Sequence, residues 1–254
     1  MHLTDKIVVI TGAASGIGRA MARRFAKDGP RKIVCADLDG AGARTVAESV
    51  GGRGFTTDVS READLIQLID TVEAEEGPID LFCSNAGIGV AGGADASDEA
   101  WSRIWDINVM AHVWAARRLV PLMTARGGGY LLNTASAAGL LSQIGSAPYA
   151  VTKHAAVGLA EWLAITHGDQ GVKVSVLCPQ AVRTAMTAGN PDGVASIDGM
   201  MEPEEVAEAC VAAIEAERFL ILPHPEVLDY MQRKTGDYER WIGGMRKLNR
   251  RFRG

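Results

Sequence analysis

The sequence lacks any apolar run close to the roughly 20 residues that a helix needs to cross a bilayer. It also lacks a charged N-terminal region followed by a signal-type apolar stretch, because residues 1–6 lead almost at once into a predicted strand. We therefore expect a cytoplasmic protein with no membrane segment. The net charge of −5 argues against a surface that binds nucleic acid.

Side chains that commonly bind metal ions are also scarce. The 4 cysteines and 5 histidines are widely spaced, and they form neither a Cys-x-x-Cys pair nor a Cys/His cluster. This spacing argues against a zinc site, so we expect no metal. The cysteines are then expected to be reduced thiols packed in the core.

The composition is that of an ordinary folded enzyme. Hydrophobic residues make up 47% of the chain and charged residues 22%, which excludes a disordered protein. A length of 254 residues suits one α/β domain better than two, and the sequence contains no linker-like or repeated tract. We predict a single domain over residues 1–254, with a C-terminal extension over about residues 223–254.

Short β-branched runs alternate with longer segments of helical period. This alternation predicts right-handed βαβ units and a mostly parallel sheet with helices on both faces. Seven strands are predicted, at residues 6–11, 32–37, 55–59, 81–85, 130–135, 172–177 and 219–222. The stretch 185–201 has no clear period and is rich in turn-forming residues, so we predict a lid over a pocket.

A glycine-rich turn follows the first predicted strand and opens the first helix. It reads Thr11-Gly12-Ala13-Ala14-Ser15-Gly16-Ile17-Gly18. Glycines allow a tight turn and a close backbone approach, and a helix N-terminus offers free N–H groups to a pyrophosphate. An ordinary strand-to-helix loop is the alternative, but the position of the turn favours a dinucleotide.

Acidic and amide residues mark the ends of the next three strands. Asp37, with Leu38 after it, ends the second strand about 20 residues beyond the glycines, where a carboxylate can bind ribose hydroxyls and repel a 2′-phosphate. The sequence therefore favours NAD over NADP. Asp58 is predicted to end the third strand and Asn85 the fourth, at the edge where such sheets bind ligands. For Asp58, a helix cap is the competing interpretation.

Tyr149 and Lys153 lie one helical turn apart, with Ser136 thirteen residues before the tyrosine. Residues four apart emerge from the same helix face, and a nearby cation lowers the pKa of a phenol. The three side chains could then move a proton to or from a substrate oxygen. An amphipathic helix with a half-buried tyrosine and a solvated lysine would give the same spacing without any chemistry.

Taken together and in order along the chain, these motifs closely resemble the short-chain dehydrogenase/reductase family. The residues that carry the resemblance are Thr11-Gly12-x-x-x-Gly16-x-Gly18, Asp58, Asn85-Ala86-Gly87, Asn108, Ser136, Tyr149-x-x-x-Lys153 and Pro179. The resemblance implies a doubly wound Rossmann-type domain. It also implies an NAD(H)-dependent oxidoreductase that interconverts a secondary alcohol and a ketone.

The resemblance also implies a role for each matching residue. Tyr149 would be the acid/base, Ser136 would orient the substrate oxygen, and Lys153 would bind ribose and lower the tyrosine pKa. Asn108 would hold a water of a proton relay, although a helix-interior asparagine bonded to backbone is an equal alternative. The cofactor site would comprise Gly12, Ser15, Gly16, Ile17, Gly18, Asp37, Leu38, Asp58, Val59, Asn85, Ala86, Gly87, Tyr149, Lys153, Pro179, Val182 and Thr184.

The substrate pocket is expected beside Ser136 and Tyr149. Its other candidate residues are Gln143, Ile144, Gln180 and Met186, which are uncharged and favour an uncharged, moderately hydrophobic alcohol or ketone. Gln180 departs from the family pattern, in which a glycine usually follows the proline. The family also pairs helices across a two-fold axis, which implies a homodimer or homotetramer.

Two other functions fit part of the sequence. A sugar-nucleotide epimerase or dehydratase of the related extended family would share the fold, but such chains are usually longer and have a different glycine spacing. A non-catalytic NAD-binding sensor or scaffold would need only the glycine-rich turn. The intact set of Ser136, Tyr149 and Lys153 argues against that second alternative.

Overall fold

Seven parallel strands form one sheet in the computed structural model, which describes residues 1–189 and 193–253. The strands are β1 (Ile7–Thr11), β2 (Lys32–Asp37), β3 (Arg53–Thr56), β4 (Leu81–Ser84), β5 (Gly129–Thr134), β6 (Val172–Leu177) and β7 (Leu220–Ile221). Their order across the sheet is β3-β2-β1-β4-β5-β6-β7. The seven-stranded α/β sheet predicted from the sequence is confirmed, and every strand pair is parallel.

Helices cover both faces of this sheet. They are α1 (Gly16–Phe25), α2 (Gly40–Ser49), α3 (Glu62–Glu75), α4 (Asp98–Trp105), α5 (Ala111–Ala125), α6 (Ala138–Leu141), α7 (Ala147–His167), α8 (Pro203–Glu215), α9 (Glu226–Gly236) and α10 (Tyr238–Arg253). Helices α1, α2 and α8 contribute to the core on one face, and α3, α5 and α7 to the core on the other. Within the described ranges, no helix is long and apolar enough to cross a membrane.

The central strand β1 shows why the sheet is buried on both sides. Successive side chains of a strand point to opposite faces. Val8 and Ile10 accordingly pack into the core with α1 and α8, whereas Ile7 and Val9 pack into the core with α3 and α5. All five residues of β1 are buried, as expected for a parallel strand covered by helices on both faces.

The third strand differs from its prediction. It was expected at 55–59 but occupies Arg53–Thr56, because these four residues pair with the second half of β2 at the edge of the sheet. The Thr57 N–H still donates to the Asp37 carbonyl at 2.8 Å, and the chain then turns away. Asp58 therefore lies beyond the strand, where its carboxylate accepts hydrogen bonds from the Ser60 N–H and hydroxyl.

The order of the strands reverses direction at β1. From β1 the chain first builds outward through β2 and β3, and it then returns to place β4 on the other side of β1. Open α/β sheets bind their ligands outside the carboxyl ends of the strands at such a switch point. The glycine-rich turn after β1 and Asn85 after β4 both lie there.

Candidate active site

One cavity of about 1520 Å³ opens at the carboxyl ends of the central strands. All the site residues predicted from the sequence line it, except Gly18 and Asn108. We call the inner side of this cavity the floor; it comprises residues 11–18, 85–87 and 134–136 with Tyr149 and Lys153. We call the side formed by α9 and α10 the outer wall. Of the predicted lid at 185–201, residues 190–192 lie outside the described residues.

The glycine-rich turn packs backbone directly against backbone. Gly12 has a φ of +67°, and a Cβ there would lie 2.8 Å from the Ala86 Cα. A Cβ on Gly18 would lie 2.1 Å from the Gly12 carbonyl oxygen, so Gly18 closes the turn from behind without lining the cavity. These contacts explain why the turn needs glycine, and they leave its inner surface open to a ligand.

The N-terminus of α1 opens onto the same space. Ser15 is the N-cap residue, but its hydroxyl makes no capping hydrogen bond. The first turn of a helix leaves N–H groups without intrahelical partners, and they attract negative charge. The Ser15 hydroxyl and these N–H groups fit an anionic group such as a pyrophosphate.

Thr11 fixes the floor in a way that the sequence did not predict. Its hydroxyl accepts hydrogen bonds from the Asn85 and Ala86 N–H groups, at 3.0 and 3.1 Å. The Asn85 side-chain amide donates a hydrogen bond to the Thr11 carbonyl at 3.0 Å, and its oxygen accepts one from the Thr134 hydroxyl at 3.2 Å. The ends of β1, β4 and β5 are thereby tied together. The sequence had placed Thr11 at the start of the glycine-rich motif, but it gave no sign of these bonds to Asn85 and Ala86.

Asp37 lies at the end of β2, at the side of the cavity beyond the glycines. Its two carboxylate oxygens accept hydrogen bonds from the Ala14 and Asp39 N–H groups, each at 3.0 Å. These bonds leave the negative charge facing the cavity next to Leu38, which is exposed. Asp58 and Val59 line the same end. The N-cap residue of α3 is Arg61, so Asp58 is not the cap that was considered as an alternative.

Tyr149 owes its position to the start of α7. Ser146 is the N-cap residue, and its hydroxyl accepts a hydrogen bond from the Tyr149 N–H while donating one to the Val90 carbonyl. Ser136 follows β5, where its hydroxyl accepts from the Ala138 N–H at 3.1 Å. Burial raises the pKa of the Tyr149 phenol, and the neighbouring Ser136 hydroxyl offsets part of that rise.

Lys153 is 3% exposed, and its ammonium donates to the Thr134 carbonyl at 2.9 Å. Its Nζ lies 5.6 Å from the centre of the Tyr149 ring. Burial lowers the Lys153 pKa to about 8. The solvated lysine of the alternative interpretation is thus excluded. That Lys153 lowers the pKa of Tyr149 stays a prediction, because burial is the largest influence on the phenol in this structure.

Asn108 lies in a π-helical segment, Asp106–Met110, between α4 and α5. Such segments insert one extra residue into a helix turn and often occur at functional sites. The Asn108 side chain bonds the backbone of Ile88 in both directions, accepting from its N–H at 2.9 Å and donating to its carbonyl at 3.0 Å. Asn108 therefore holds the segment after Gly87 against the cavity. Its role in a proton relay stays a prediction.

Gln180 belongs to a group of polar contacts that sequence reasoning missed. Its N–H donates to His224 Nδ1 at 3.2 Å, and its side-chain amide donates to Asp198 at 3.0 Å. The Tyr230 hydroxyl donates to the other oxygen of Asp198 at 2.8 Å. One carboxylate thus connects the segment after Pro179 to α9. The partners lie 18 to 44 residues apart in the chain, and no local pattern indicates them.

No group of three or more His, Cys, Asp or Glu residues suited to a metal ion occurs in the described part of the chain. The four cysteines are free and buried. The site therefore consists of a glycine-rich cradle, a carboxylate beyond it and a Ser/Tyr/Lys group, arranged along one cavity.

In a comparison with known proteins, residues 6–194 of the chain match the family model for short chain dehydrogenases. The chain is 36% identical over 237 residues to 1-deoxy-11-beta-hydroxypentalenate dehydrogenase of Streptomyces exfoliatus, covering 89% of this chain and 86% of that protein. It is 35% identical over 218 residues to meso-2,3-butanediol dehydrogenase of Serratia marcescens, covering 82% and 86%. A short chain dehydrogenase/reductase from Burkholderia phymatum, solved in complex with NAD, superposes with a TM-score of 0.85 at 31% identity, covering 94% and 96%.

Proposed function

The chain belongs to the short-chain dehydrogenase family, and from that premise we propose that it is an NAD(H)-dependent enzyme interconverting a secondary alcohol and a ketone. One observation carries the proposal. A glycine-rich cradle and a carboxylate lie toward one end of a continuous cavity, while Ser136, Tyr149 and Lys153 line the same cavity farther in. A protein that only sensed the cofactor would need the first group but not the second.

The cavity suits NAD at the adenosine end. The α1 N-terminus and the Ser15 hydroxyl would bind the pyrophosphate, and Asp37 would bind the ribose hydroxyls and repel a 2′-phosphate. Lys153 would bind the nicotinamide ribose, with Pro179, Val182 and Thr184 along the other side. When bound, the nicotinamide supplies or accepts the hydride. The NAD complex of the Burkholderia phymatum relative supports this assignment.

The protein's own contribution is to move the proton. For ketone reduction, the Ser136 hydroxyl orients the carbonyl oxygen, and Tyr149 donates its phenolic proton to that oxygen as negative charge develops there. The raised pKa keeps the phenol protonated at neutral pH, ready to act as the acid. For alcohol oxidation the same residues act in reverse. Lys153 would favour the phenolate that forms during reduction, because its ammonium lies close to the ring.

The surroundings of Ser136 and Tyr149 favour a moderately hydrophobic substrate. Leu141, Ile144 and Met186 line the cavity there with Gln143 and Gln180. The Serratia marcescens relative is named for a secondary diol and the Streptomyces exfoliatus relative for a hydroxypentalenate, which supports a substrate with a secondary hydroxyl group. Met186 is 54% exposed and can adjust to different substrate shapes.

We further propose that two or four copies assemble through α5 and α7. Val151, Trp162 and Ile165 on α7 are exposed, although apolar side chains of this size are costly to leave in water. The single domain over residues 1–254 stays a proposal as well. A cytoplasmic location rests on the sequence alone and stays a prediction.

A panel of secondary alcohols and ketones tests the proposed function. The purified protein should oxidise NADH when a suitable ketone is present and reduce NAD when the matching alcohol is present, with the alcohol and ketone identified as products. Binding of NAD or NADH without turnover of any member of a broad panel would favour the sensor or scaffold instead.

A further inference from the structure

The outer wall of the cavity combines apolar and cationic side chains. Its lining residues on α9 and α10 include Tyr230, Arg233, Arg240, Trp241, Met245 and Leu248. Trp241 also packs beside Leu141 and Val227, in a small core of its own. The apolar part of the wall therefore continues the hydrophobic surroundings of Ser136 and Tyr149, and the two arginines lie at its solvent side.

Charge is distributed unevenly along the cavity. At the cofactor end, the cavity is lined by Asp37 and Asp58, whereas the outer wall contributes Arg233 and Arg240 with Asp237 between them in the chain. Arg103 and Lys153 are the other charged lining residues. Both arginines of the outer wall are exposed, and within residues 1–189 and 193–253 neither forms an ion pair. The Arg233 guanidinium instead lies over the Tyr230 ring, 5.7 Å from its centre.

Two carboxylates near this wall, Asp198 and Asp237, have other partners. Asp198 accepts hydrogen bonds from Gln180 and from the Tyr230 hydroxyl. Asp237 precedes α10 and accepts from the Arg240 N–H at 2.9 Å, so that it caps the helix and its charge faces the positive helix N-terminus. The Arg233 and Arg240 guanidinium groups consequently retain donors that can bind an anion.

We propose that Arg233 and Arg240 bind the carboxylate of an amphipathic substrate, a hydroxy or keto acid whose reacting carbon lies at Ser136 and Tyr149. The inference rests on the proposed function, to which it adds a substrate class. A guanidinium matches a carboxylate through two parallel hydrogen bonds. The apolar residues between the two ends, such as Leu141 and Trp241, would cover the hydrocarbon part of the substrate.

This arrangement would also hold the outer wall in place. Arg233 lies on α9 and Arg240 on α10, and α10 packs mainly against α9. A carboxylate bound by both arginines would connect the two helices across the cavity. Substrates that lack the carboxylate would lose this connection, while their reacting end would keep the same surroundings at Ser136.

Binding of decanoate and of methyl decanoate, measured by calorimetry with saturating NADH, tests the proposal without turnover. The two ligands share one apolar chain and differ in charge. The wild-type protein should bind decanoate at least about fivefold more tightly than the ester, and added salt should reduce the difference because it screens exposed charges. The double variant R233Q/R240Q should lose the preference and retain its affinity for the ester.

A matched control is available on the same helix. Arg246 and Arg250 are exposed on α10, and neither lines the cavity. The double variant R246Q/R250Q makes the same change in net charge and should keep the preference for decanoate. Equal loss in both double variants would show a general effect of charge and overturn the proposal.

Two further results would contradict the carboxylate site: equal affinity of the wild-type protein for acid and ester, or no detectable binding of decanoate. Neither depends on the enzyme reaction. Turnover of neutral ketones without any preference for the acid would therefore overturn this inference alone. A clear preference for the acid in a protein that turns over no alcohol or ketone would overturn the proposed function alone.

Discussion

The floor and the outer wall of the cavity are built in different ways. The floor follows the ends of central strands, and its side chains are fixed by hydrogen bonds such as those from the Asn85 N–H to the Thr11 hydroxyl and from Lys153 to the Thr134 carbonyl. The outer wall consists of α9 and α10, whose side chains are mostly exposed, and α10 has mainly α9 as its neighbour.

This difference indicates that the two regions have different roles in the reaction. Proton and hydride transfer need reacting atoms held within fractions of an ångström, which packed strand ends provide. Substrate recognition needs less exact placement of side chains, and loops or peripheral elements on a rigid scaffold commonly carry the residues that recognise the substrate. We therefore expect substitutions in the floor to change the rate or the stability strongly. Substitutions in the outer wall should mainly change which ligands bind.

The largest effect is expected for Tyr149→Phe. Removing the phenolic proton should lower kcat by about 10²- to 10⁴-fold, the usual contribution of a positioned acid or base, while NADH affinity stays near that of the wild type. Tyr130→Phe is the matched control, because Tyr130 is a buried tyrosine hydrogen-bonded to Ser175 away from the cavity. Comparable turnover in Tyr149→Phe and Tyr130→Phe would remove Tyr149 from the mechanism.

The buried ammonium of Lys153 should make stability depend on pH. The folded-state pKa of about 8 lies below the ordinary lysine value of 10.5, so the unfolded chain binds more protons between these two values. The free energy of unfolding should therefore increase between about pH 8 and about pH 10.5. Below pH 8 Lys153 is charged in the folded protein, so the full cost of burying that charge lowers stability.

Lys153→Met should remove this contribution and raise stability at neutral pH by up to about 3 kcal/mol, the equivalent of the pKa shift. Urea unfolding of both proteins without cofactor, at about pH 7 and about pH 9.5, measures the difference. A variant less stable than the wild type at neutral pH would show that the bond to the Thr134 carbonyl outweighs burial.

A pair of glycine substitutions compares the packing of the two regions directly. Gly18→Ala in the floor should lower the free energy of unfolding by about 1–3 kcal/mol, because its Cβ would meet the Gly12 carbonyl. Gly243→Ala in the outer wall should raise it by about 0.5–1 kcal/mol, since nothing lies within 4 Å of the new Cβ and alanine favours the helix. Equal changes in thermal unfolding would contradict the comparison.

Asp37→Asn should change the choice of cofactor and leave the floor intact. The substitution removes the negative charge but keeps an acceptor for the Ala14 N–H. The preference for NAD over NADP, measured as a ratio of kcat/KM values, should fall about tenfold, as expected for lost hydrogen bonds to a charged group. Asp229→Asn, an exposed change on α9 away from the cavity, should leave the ratio unchanged. A preference for NADP in the wild type would contradict the role of Asp37.

Much of the floor could be predicted from sequence because its signals are local. The turn from Thr11 to Gly18 and the spacing of Tyr149 and Lys153 each lie within one element, where period and turn chemistry apply. The strand alternation predicted all seven strands. The third was misplaced because an edge strand is only half enclosed, so the pattern of burial does not fix its ends.

The outer wall and the polar contacts beside it could not be predicted in the same way. The contact of Gln180 with His224, and that of Asp198 with Tyr230, join residues far apart in the chain. The placement of Arg233 and Arg240 at the cavity depends on how α9 and α10 pack, which tertiary contacts decide. The π-helical segment at Asn108 was also missed, because a single inserted residue leaves no periodic signal.

The most direct test of the proposed chemistry follows the hydrogen itself. NADH deuterated at both positions of its reactive ring carbon would be incubated with the enzyme and a ketone that it reduces, in ordinary water, and the alcohol analysed by mass spectrometry. If NADH transfers hydride to the ketone carbon, each product molecule should carry one deuterium on its carbinol carbon. Product alcohol without deuterium at that carbon would contradict the assignment of this chain as an alcohol and ketone oxidoreductase.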